Sequence, residues 1–424
     1  MVFDKYGISE RIAATKIITE EKKMKKVLAL VLALVLVLGF AACGTSPDKS
    51  GPEVVEGFKV GVILIGDENE GYTFAHMEGV KEAVTELGIG EENIIFKFNT
   101  PEDEKCYDAA VDLAEQGCNI IFANSFGHES YMMEAAKEYP DIFFCHATGT
   151  SAKTSDLTNF CNYFDNIFES RYVSGIVAGM KLKELLDSGE AAEPHVGYVG
   201  AHPYAEVVSG YTSFFLGIKS IVPDVYMDVI YTGSWFDITA EAAAADRLMS
   251  GGCVIIGQHA DSTGAPGAVQ AKLDAGNAVY SVGYNIDMLA AAPTAALTSA
   301  QNNWVVMYKA ILTGALEGKI EKDYCFGYAD NAVMISKLGP SCATGTEKAV
   351  ADAIAGIKDG SIRVFDTATF TVGGAPVTSA FATDTDDDWE NDADEAVFDG
   401  YYHESYFQSA PSFGLRIDGI TELS

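Results

Sequence analysis

Positive charge is scarce in this 424-residue chain, with 28 Lys and Arg against 61 Asp and Glu and a formal net charge of −33. So acidic a surface repels nucleic acid and anionic lipid through its long-range field, and no basic patch interrupts it. Nucleic acid is therefore excluded as a partner. The eight cysteines show no C-x-x-C and no Cys/His ligand spacing, which argues against both a disulfide framework and a zinc site. Those after Cys43 read as small buried apolar side chains. No G-x-S-x-G elbow, H-E-x-x-H, phosphate-loop or dinucleotide motif occurs, and the seven histidines show no ligand pairing. The pattern leaves no catalytic residue, no metal site and no cofactor to propose.

A span-length apolar run is also missing. Residues 27–42 are uncharged, but sixteen residues fall short of the roughly 20 that a membrane helix needs. The run follows Lys22, Lys23, Lys25 and Lys26 and ends in Ala41-Ala42-Cys43. A basic stretch, a short apolar stretch and small residues before a cysteine read as an export signal, with an uncleaved anchor as the alternative. Residues 24–42 form the signal, and residues 1–23 look like an extension from a mis-assigned start. Residues 43–57, rich in Gly, Ser and Pro, form a flexible tether.

From residue 58, short apolar runs alternate with longer amphipathic stretches. Strands are expected at 59–65, 94–98, 120–123, 142–147, 195–199, 228–232, 254–258, 278–282 and 332–336. Helices are expected at 73–87, 105–116, 170–186, 206–221, 240–250, 267–275 and 304–316. Such alternation builds parallel sheets covered on both faces, and a chain this long exceeds the size of one core. Two doubly wound α/β lobes follow: 58–193 with 298–326, and 194–297 with 327–363. The remainder, 364–424, is an extension packed on the second lobe. Alternation at Phe365, Thr367, Thr369, Thr371 and Val372 suggests a hairpin there. Asp384, Asp386 and Asp388 have the alternate spacing of a calcium loop, but Trp389 stands where such a loop needs glycine, so a solvated acidic loop is expected.

Ligands of doubly wound sheets bind beyond the carboxyl ends of the strands. Aromatic, amide and carboxylate residues cluster there in this sequence: Asp67, Tyr72, Ser125, Phe126, Glu206, Trp235, His259, Asp261, Asn285, and Trp304 at the start of a later helix. Aromatic faces can sandwich a flat ring while carboxylates and amides bind its edge. Each residue also has a plainer reading. Tyr72, Phe126 and Trp235 can be packing aromatics, and Asp67, Glu206 and Asp261 can be helix caps. His259 can be a packed loop residue, and Trp304 can be core at a hinge.

Several stretches together resemble the basic membrane protein family of solute-binding lipoproteins, which serve ABC importers of purine nucleosides and related bases. They are Gly71-Tyr72-Thr73-Phe74-Ala75-His76, Ile121-Phe122-Ala123-Asn124-Ser125-Phe126-Gly127, His146-Ala147-Thr148-Gly149, Glu169-Ser170-Arg171-Tyr172, Ser234-Trp235-Phe236-Asp237 and Gln258-His259-Ala260-Asp261-Ser262. The resemblance implies a type I periplasmic-binding-protein fold with three crossovers and an interlobe ligand cleft, a lipid on Cys43 at the outer face of the cell membrane, and permease and ATPase partners. It places Tyr72 where an aromatic stacks on the base, Phe126 and Trp235 on the other sides, and Asp261 and Glu206 at the edge. Asn285 stands where the nucleoside-binding branch has an aspartate for the ribose, which favours a free purine base over a nucleoside. Capture without chemistry is the mechanism implied; a signalling receptor module and a nucleoside hydrolase are the alternatives.

Overall fold

The computed structural model describes residues 54–383 and 394–424. The export signal, Cys43, most of the tether and the Asp384–Asp388 acidic run lie outside the described residues. The chain begins with β1 (Val60–Ile63), α1 (Gly71–Glu86), β2 (Ile94–Lys97), α2 (Glu104–Glu115), β3 (Ile120–Ala123), α3 (Glu129–Glu138), β4 (Phe143–Ala147) and β5 (Phe160–Tyr163). Next come α4 (Ile167–Ser188), β6 (His195–Gly200), α5 (Ala205–Lys219), β7 (Tyr226–Tyr231), α6 (Ile238–Ser250), β8 (Ile255–Gln258), α7 (Gly264–Asp274), β9 (Tyr280–Tyr284) and β10 (Ala296–Asn302). After them run α8 (Trp304–Leu316), β11 (Asp323–Tyr324), β12 (Val333–Ile335) and α9 (Thr346–Asp359). The C-terminal segment adds β13 (Thr371–Val372), β14 (Ala375–Pro376), β15 (Val397–Phe398), β16 (Tyr401–Tyr402) and β17 (Ile420–Leu423).

Two small antiparallel ladders, β13-β14 and β15-β16, stand apart from two large sheets in the orders β11-β5-β4-β3-β1-β2 and β12-β10-β9-β8-β6-β7-β17, and it is the pairing within the large sheets that organises the lobes. In the large sheets all neighbours are parallel except β12, which runs against β10. The central strands are continuous apolar runs such as Val60-Gly61-Val62-Ile63, buried throughout, as strands covered on both faces must be. Local sequence sets the helix starts. Glu70 caps α1 by accepting from the Tyr72 and Thr73 N–H groups, and Asp237 caps α6 through Thr239 and Ala240. Helix α4 lies against α5 where two glycines meet: a Cβ on Gly175 would stand 2.1 Å from the Phe214 carbonyl oxygen, and one on Gly217 2.1 Å from that of Tyr172.

The crossings differ from the expected boundaries. Helix α4 packs on α5, β10 and α9, so the chain leaves the first lobe after Tyr163, not at residue 193. Strand β10 belongs to the second sheet, so the return comes after Asn302 with α8, which packs on α1. Each crossing follows a strand end directly, and the next helix or strand packs in the other lobe. The third crossing joins β11 to β12.

The C-terminal segment extends the second sheet, with β17 pairing along β7 from Ile420 opposite Met227 to Leu423 opposite Ile230. The hairpin expected from residue 365 shrinks to β13 and β14. Asp366 accepts from the Ala368 N–H and turns the chain there, and Gly373 and Gly374 at φ 58° and 79° close the two-residue pairing. Phe365 is instead buried, stacked on Phe413 at 4.3 Å. Its cluster is continuous with the core shared by both lobes. Cys106, Cys118, Cys145, Cys161 and Cys253 are buried, Cys325 and Cys342 are half-buried, and all seven are free thiols.

Candidate functional site

Both sheets reverse strand order beside their first strand: β1 lies between β2 and β3, and β6 between β7 and β8. Loops leaving the two central strands diverge at such a point and open a crevice. The two crevices face each other and form a cavity between the lobes. Ile65, Tyr72, Asn124, Ser125, Phe126 and Thr148 line it from the first lobe; Glu206, Trp235, His259, Asp261 and Tyr284 line it from the second. The lobes touch at its rim, where the Gly71 N–H donates to the Asp261 carbonyl at 3.4 Å and Phe126 stacks on Tyr204 at 5.5 Å.

The aromatic walls are held from behind. The Tyr72 hydroxyl donates to the Asn124 carbonyl at 2.7 Å, and its ring meets His76 edge-on at 4.4 Å. Trp235 meets His202 edge-on at 5.0 Å, and its carbonyl accepts from the Asp261 N–H at 2.8 Å. Asn124 accepts from the Ile65 N–H, while its own amide nitrogen is buried and unpartnered. Thr148 adopts φ 66°, unusual for a β-branched residue and of the kind that gathers at functional sites.

Two acidic groups, Glu206 and Asp261, stand in the polar lining. Burial, then Glu70, Glu241 and Glu206, push the Asp261 carboxyl well above the usual carboxylate range. Asn285 Nδ2 donates to Asp261 Oδ1. His259 Nε2 lies 3.1 Å from Glu206 Oε1; burial and the Arg171 charge lower the imidazole to about 4, so it is neutral and donates Nε2–H to the carboxylate. The buried Arg171 guanidinium lies 3.5 Å from the Tyr284 ring centroid and donates to the Tyr198 hydroxyl and the Gln258 carbonyl. It supplies the positive charge behind these carboxyls. The arrangement can sandwich a planar heteroaromatic and offers both amide donors and carboxyl oxygens to its edge.

Residues 59–358 match the family model described as ABC transporter substrate-binding protein PnrA-like. The chain belongs to that family. It is 37% identical over 264 residues to a purine-binding protein of Brucella abortus (strain 2308), covering 61% of this chain and 70% of that one. It is 31% identical over 309 residues to a Haloferax volcanii protein named as an ABC transporter glucose-binding protein, covering 72% and 73%. A crystal structure of an ABC transporter solute-binding protein from Aeropyrum pernix K1 superposes with a TM-score of 0.62 at 16% identity, covering 73% of this chain and 93% of that one. The fold is thus the type I periplasmic-binding-protein fold. PnrA-like proteins act outside the cytoplasm and hand a small molecule to permease and ATPase subunits.

Seven of the ten residues expected at a PnrA-like site line the cavity: Tyr72, Ser125, Phe126, Glu206, Trp235, His259 and Asp261. Three do not. Asp67 accepts from the backbone and side chain of Asn69 and holds the loop before α1, whose cap is Glu70. Asn285 sits behind Asp261 and bonds it, so this position orients a lining carboxyl and does not face the cavity. Trp304 is 2% exposed and stacks on His76 at 3.9 Å, propping Tyr72 from the core. Ile65, Asn124, Thr148 and Tyr284 complete the lining; Asn124 and Tyr284 belong to strand-end stretches expected at the cleft-facing edge, whereas Ile65 and Thr148 were not singled out as lining residues. Each stands at or one or two residues beyond a strand end already singled out, and that position was the available signal.

One further cluster lies at the amino end of the second sheet, away from the cavity. His195 Nε2 lies 3.0 Å from Asp228 Oδ2 and 3.4 Å from Cys253 Sγ, a grouping that sequence spacing does not reveal. Burial pushes the Cys253 thiol up to about 12, so a neutral thiol, an imidazole and a carboxylate satisfy one another there. They could bind a soft divalent cation only with the thiol deprotonated.

Proposed function

We propose that this protein is the lipid-anchored solute receptor of an ABC importer, and that its solute is a purine base or purine nucleoside held in the interlobe cavity. The observation that carries the reading is the convergence of Tyr72 and Phe126 from one lobe with Trp235 from the other, around carboxyls of Asp261 and Glu206 and an unpartnered Asn124 amide. A purine presents two aromatic faces and an edge of alternating donors and acceptors, which that lining complements. The purine-binding relative from Brucella abortus supports the same reading. Residues from both lobes touch the ligand, so its binding favours the closed form, the state that docks on the permease. Cys43 carries the lipid.

A hexose is the second reading, favoured by the glucose-binding name of the Haloferax volcanii relative. A thermal-shift panel of adenine, guanine, hypoxanthine, xanthine, their nucleosides, glucose and amino acids separates the two. A ligand that binds only the folded state raises the melting temperature with occupancy. A purine shift upholds the proposal, whereas a glucose shift without one refutes it.

A further inference from the structure

The second sheet carries a separate chemical feature at the edge opposite the cavity. Strands β6, β7 and β8 are parallel neighbours, so their amino ends lie together while their carboxyl ends face the solute. His195 opens β6, Asp228 is the third residue of β7, and Cys253 stands two residues before β8. Their sequence spacing matches no metal motif, and the sheet alone unites them. We propose that His195 Nε2, Asp228 Oδ2 and Cys253 Sγ form a binding site for one zinc-class divalent cation, which ties the amino ends of three neighbouring strands together.

Geometry carries the proposal. The three ligand atoms lie within 4.8 Å of one another, with Nε2 3.0 Å from Oδ2 and 3.4 Å from Sγ. Tetrahedral zinc, with bonds of about 2.0–2.2 Å to nitrogen or oxygen and about 2.3 Å to sulfur, sets N and O roughly 3.4 Å apart and N and S roughly 3.6 Å apart. Each contact need open by only roughly 0.2–0.4 Å to admit the cation. The same contacts exclude a catalytic relay. In a nucleophile–base–acid triad the thiol and the carboxylate meet opposite ring nitrogens, whereas here both meet Nε2. One nitrogen carries one hydrogen or one lone pair, so by itself it bonds the carboxylate well and the weakly accepting sulfur poorly. A cation at the shared focus bonds all three.

Ligand chemistry selects the metal. An imidazole and a thiolate suit zinc and not the oxygen-seeking calcium or magnesium. As the metal–sulfur bond forms, the Cys253 proton leaves to solvent, and the thiolate with the Asp228 carboxylate balances the two positive charges. Asp228 pairs with His195 and, among the described residues, with no Lys or Arg. His195 and Cys253 are buried, whereas the Asp228 side chain is 22% exposed and gives the cation a way in from solvent. Tyr226 stacks on the imidazole at 4.3 Å, and the Val254 N–H donates to the His195 carbonyl at 3.1 Å, so ring and backbone are both held in place. Strand β6 separates the site from the cavity by its own length, roughly 17–20 Å. The cation therefore acts on the stability of the second lobe, and the proposal is independent of which solute is bound.

The purified protein, stripped with a chelator and dialysed against zinc, tests the site. It should take up one zinc per chain and melt at a higher temperature as the site fills, because a cation that binds only the folded state stabilises it. Magnesium at the same concentration should leave the melting temperature unchanged. X-ray absorption of the zinc-loaded parent should show one sulfur at about 2.3 Å and nitrogen or oxygen at about 2.0–2.2 Å. Cys253→Ser and Asp228→Asn should each weaken zinc at least tenfold. Cys253→Ser should also abolish the sulfur-to-metal charge-transfer band that cadmium gives with the parent, which separates this thiol from the six other free cysteines. No stoichiometric zinc, a zinc shell without sulfur, or a cadmium band and zinc affinity unchanged in Cys253→Ser overturns the proposal. The absorption measurement is made on the parent, so it decides the matter even if a variant fails to fold.

Discussion

Replacing Trp235 with alanine removes one wall of the cavity and little else. The Trp235 backbone stays fixed, because its carbonyl still accepts from the Asp261 N–H at 2.8 Å. The indole is half-buried, with His202 edge-on at 5.0 Å and His259 at 6.3 Å. A tryptophan buries about 200 Å² when fully enclosed, and a quarter to half of that belongs to the face still open to a ligand, roughly 50–100 Å². At about 25 cal/mol per Å² this face contributes ~1–2.5 kcal/mol, and stacking on an aromatic ring adds ~0.5–1.5 kcal/mol. The sum corresponds to at least a tenfold loss of affinity, since about 1.4 kcal/mol is tenfold. Titration calorimetry on Trp235→Ala against the best purine reads this directly, with the ligand-free melting temperature as the control for folding. Unchanged affinity in a variant that melts like the parent would refute the placement of Trp235 against the ligand.

Two pH experiments follow from the buried carboxyls. In the ligand-free protein Asp261 is held well above the usual carboxylate range by burial and by Glu70, Glu241 and Glu206, whereas ligand N–H donors favour its ionised form. Purine binding should therefore release a proton, and affinity should rise with pH between the ordinary carboxylate range and the raised value. Asp261→Asn should bind more weakly and flatten that profile, and a parent profile that is already flat removes Asp261 from the contact. Glu404, in the C-terminal segment, is 9% exposed and raised by burial from 4.5 to about 7. A folded-state value above the unfolded one favours folding below about pH 4.5, and that contribution is lost as pH rises through about 7. Over the whole window it amounts to about 3 kcal/mol. Urea denaturation at pH 5 and pH 8 should show Glu404→Gln with a smaller pH dependence than the parent and higher stability at pH 8. Identical dependences would place the titration elsewhere.

The sheet cores were legible because parallel strands covered on both faces must be apolar along their whole length. Ile120–Ala123 and the helix Trp304–Leu316 were located to the residue. Strand β5 was not legible. Its Phe-Cys-Asn-Tyr run carries Asn162, whose buried side chain accepts from the Ala152 N–H and donates to Glu129, so a polar residue stands where the pattern demands an apolar one. Strand β17 is four residues, and it pairs with β7 nearly two hundred residues earlier. No local pattern reports so distant a partner.

The cavity shows what strand ends encode and what they do not. A residue just past a parallel strand is placed at the carboxyl edge by topology alone, which is why Ser125, Phe126, Trp235, His259 and Asp261 come together from the ends of three strands, β3, β7 and β8. Depth is a separate matter, set by tertiary packing. Asn285 follows β9 as directly as the cavity-lining Asn124 follows β3, yet its φ of 63° turns the chain so that its side chain bonds the back of Asp261. Trp304 is displaced inward by Gly79, where even a Cβ would stand 2.5 Å from the Trp304 Cβ. The absence of a side chain on α1 lets the indole sink onto His76 and support Tyr72 from behind. Sequence position thus selects the edge of the sheet, while small residues on facing helices decide which aromatic reaches the cavity and which one braces it.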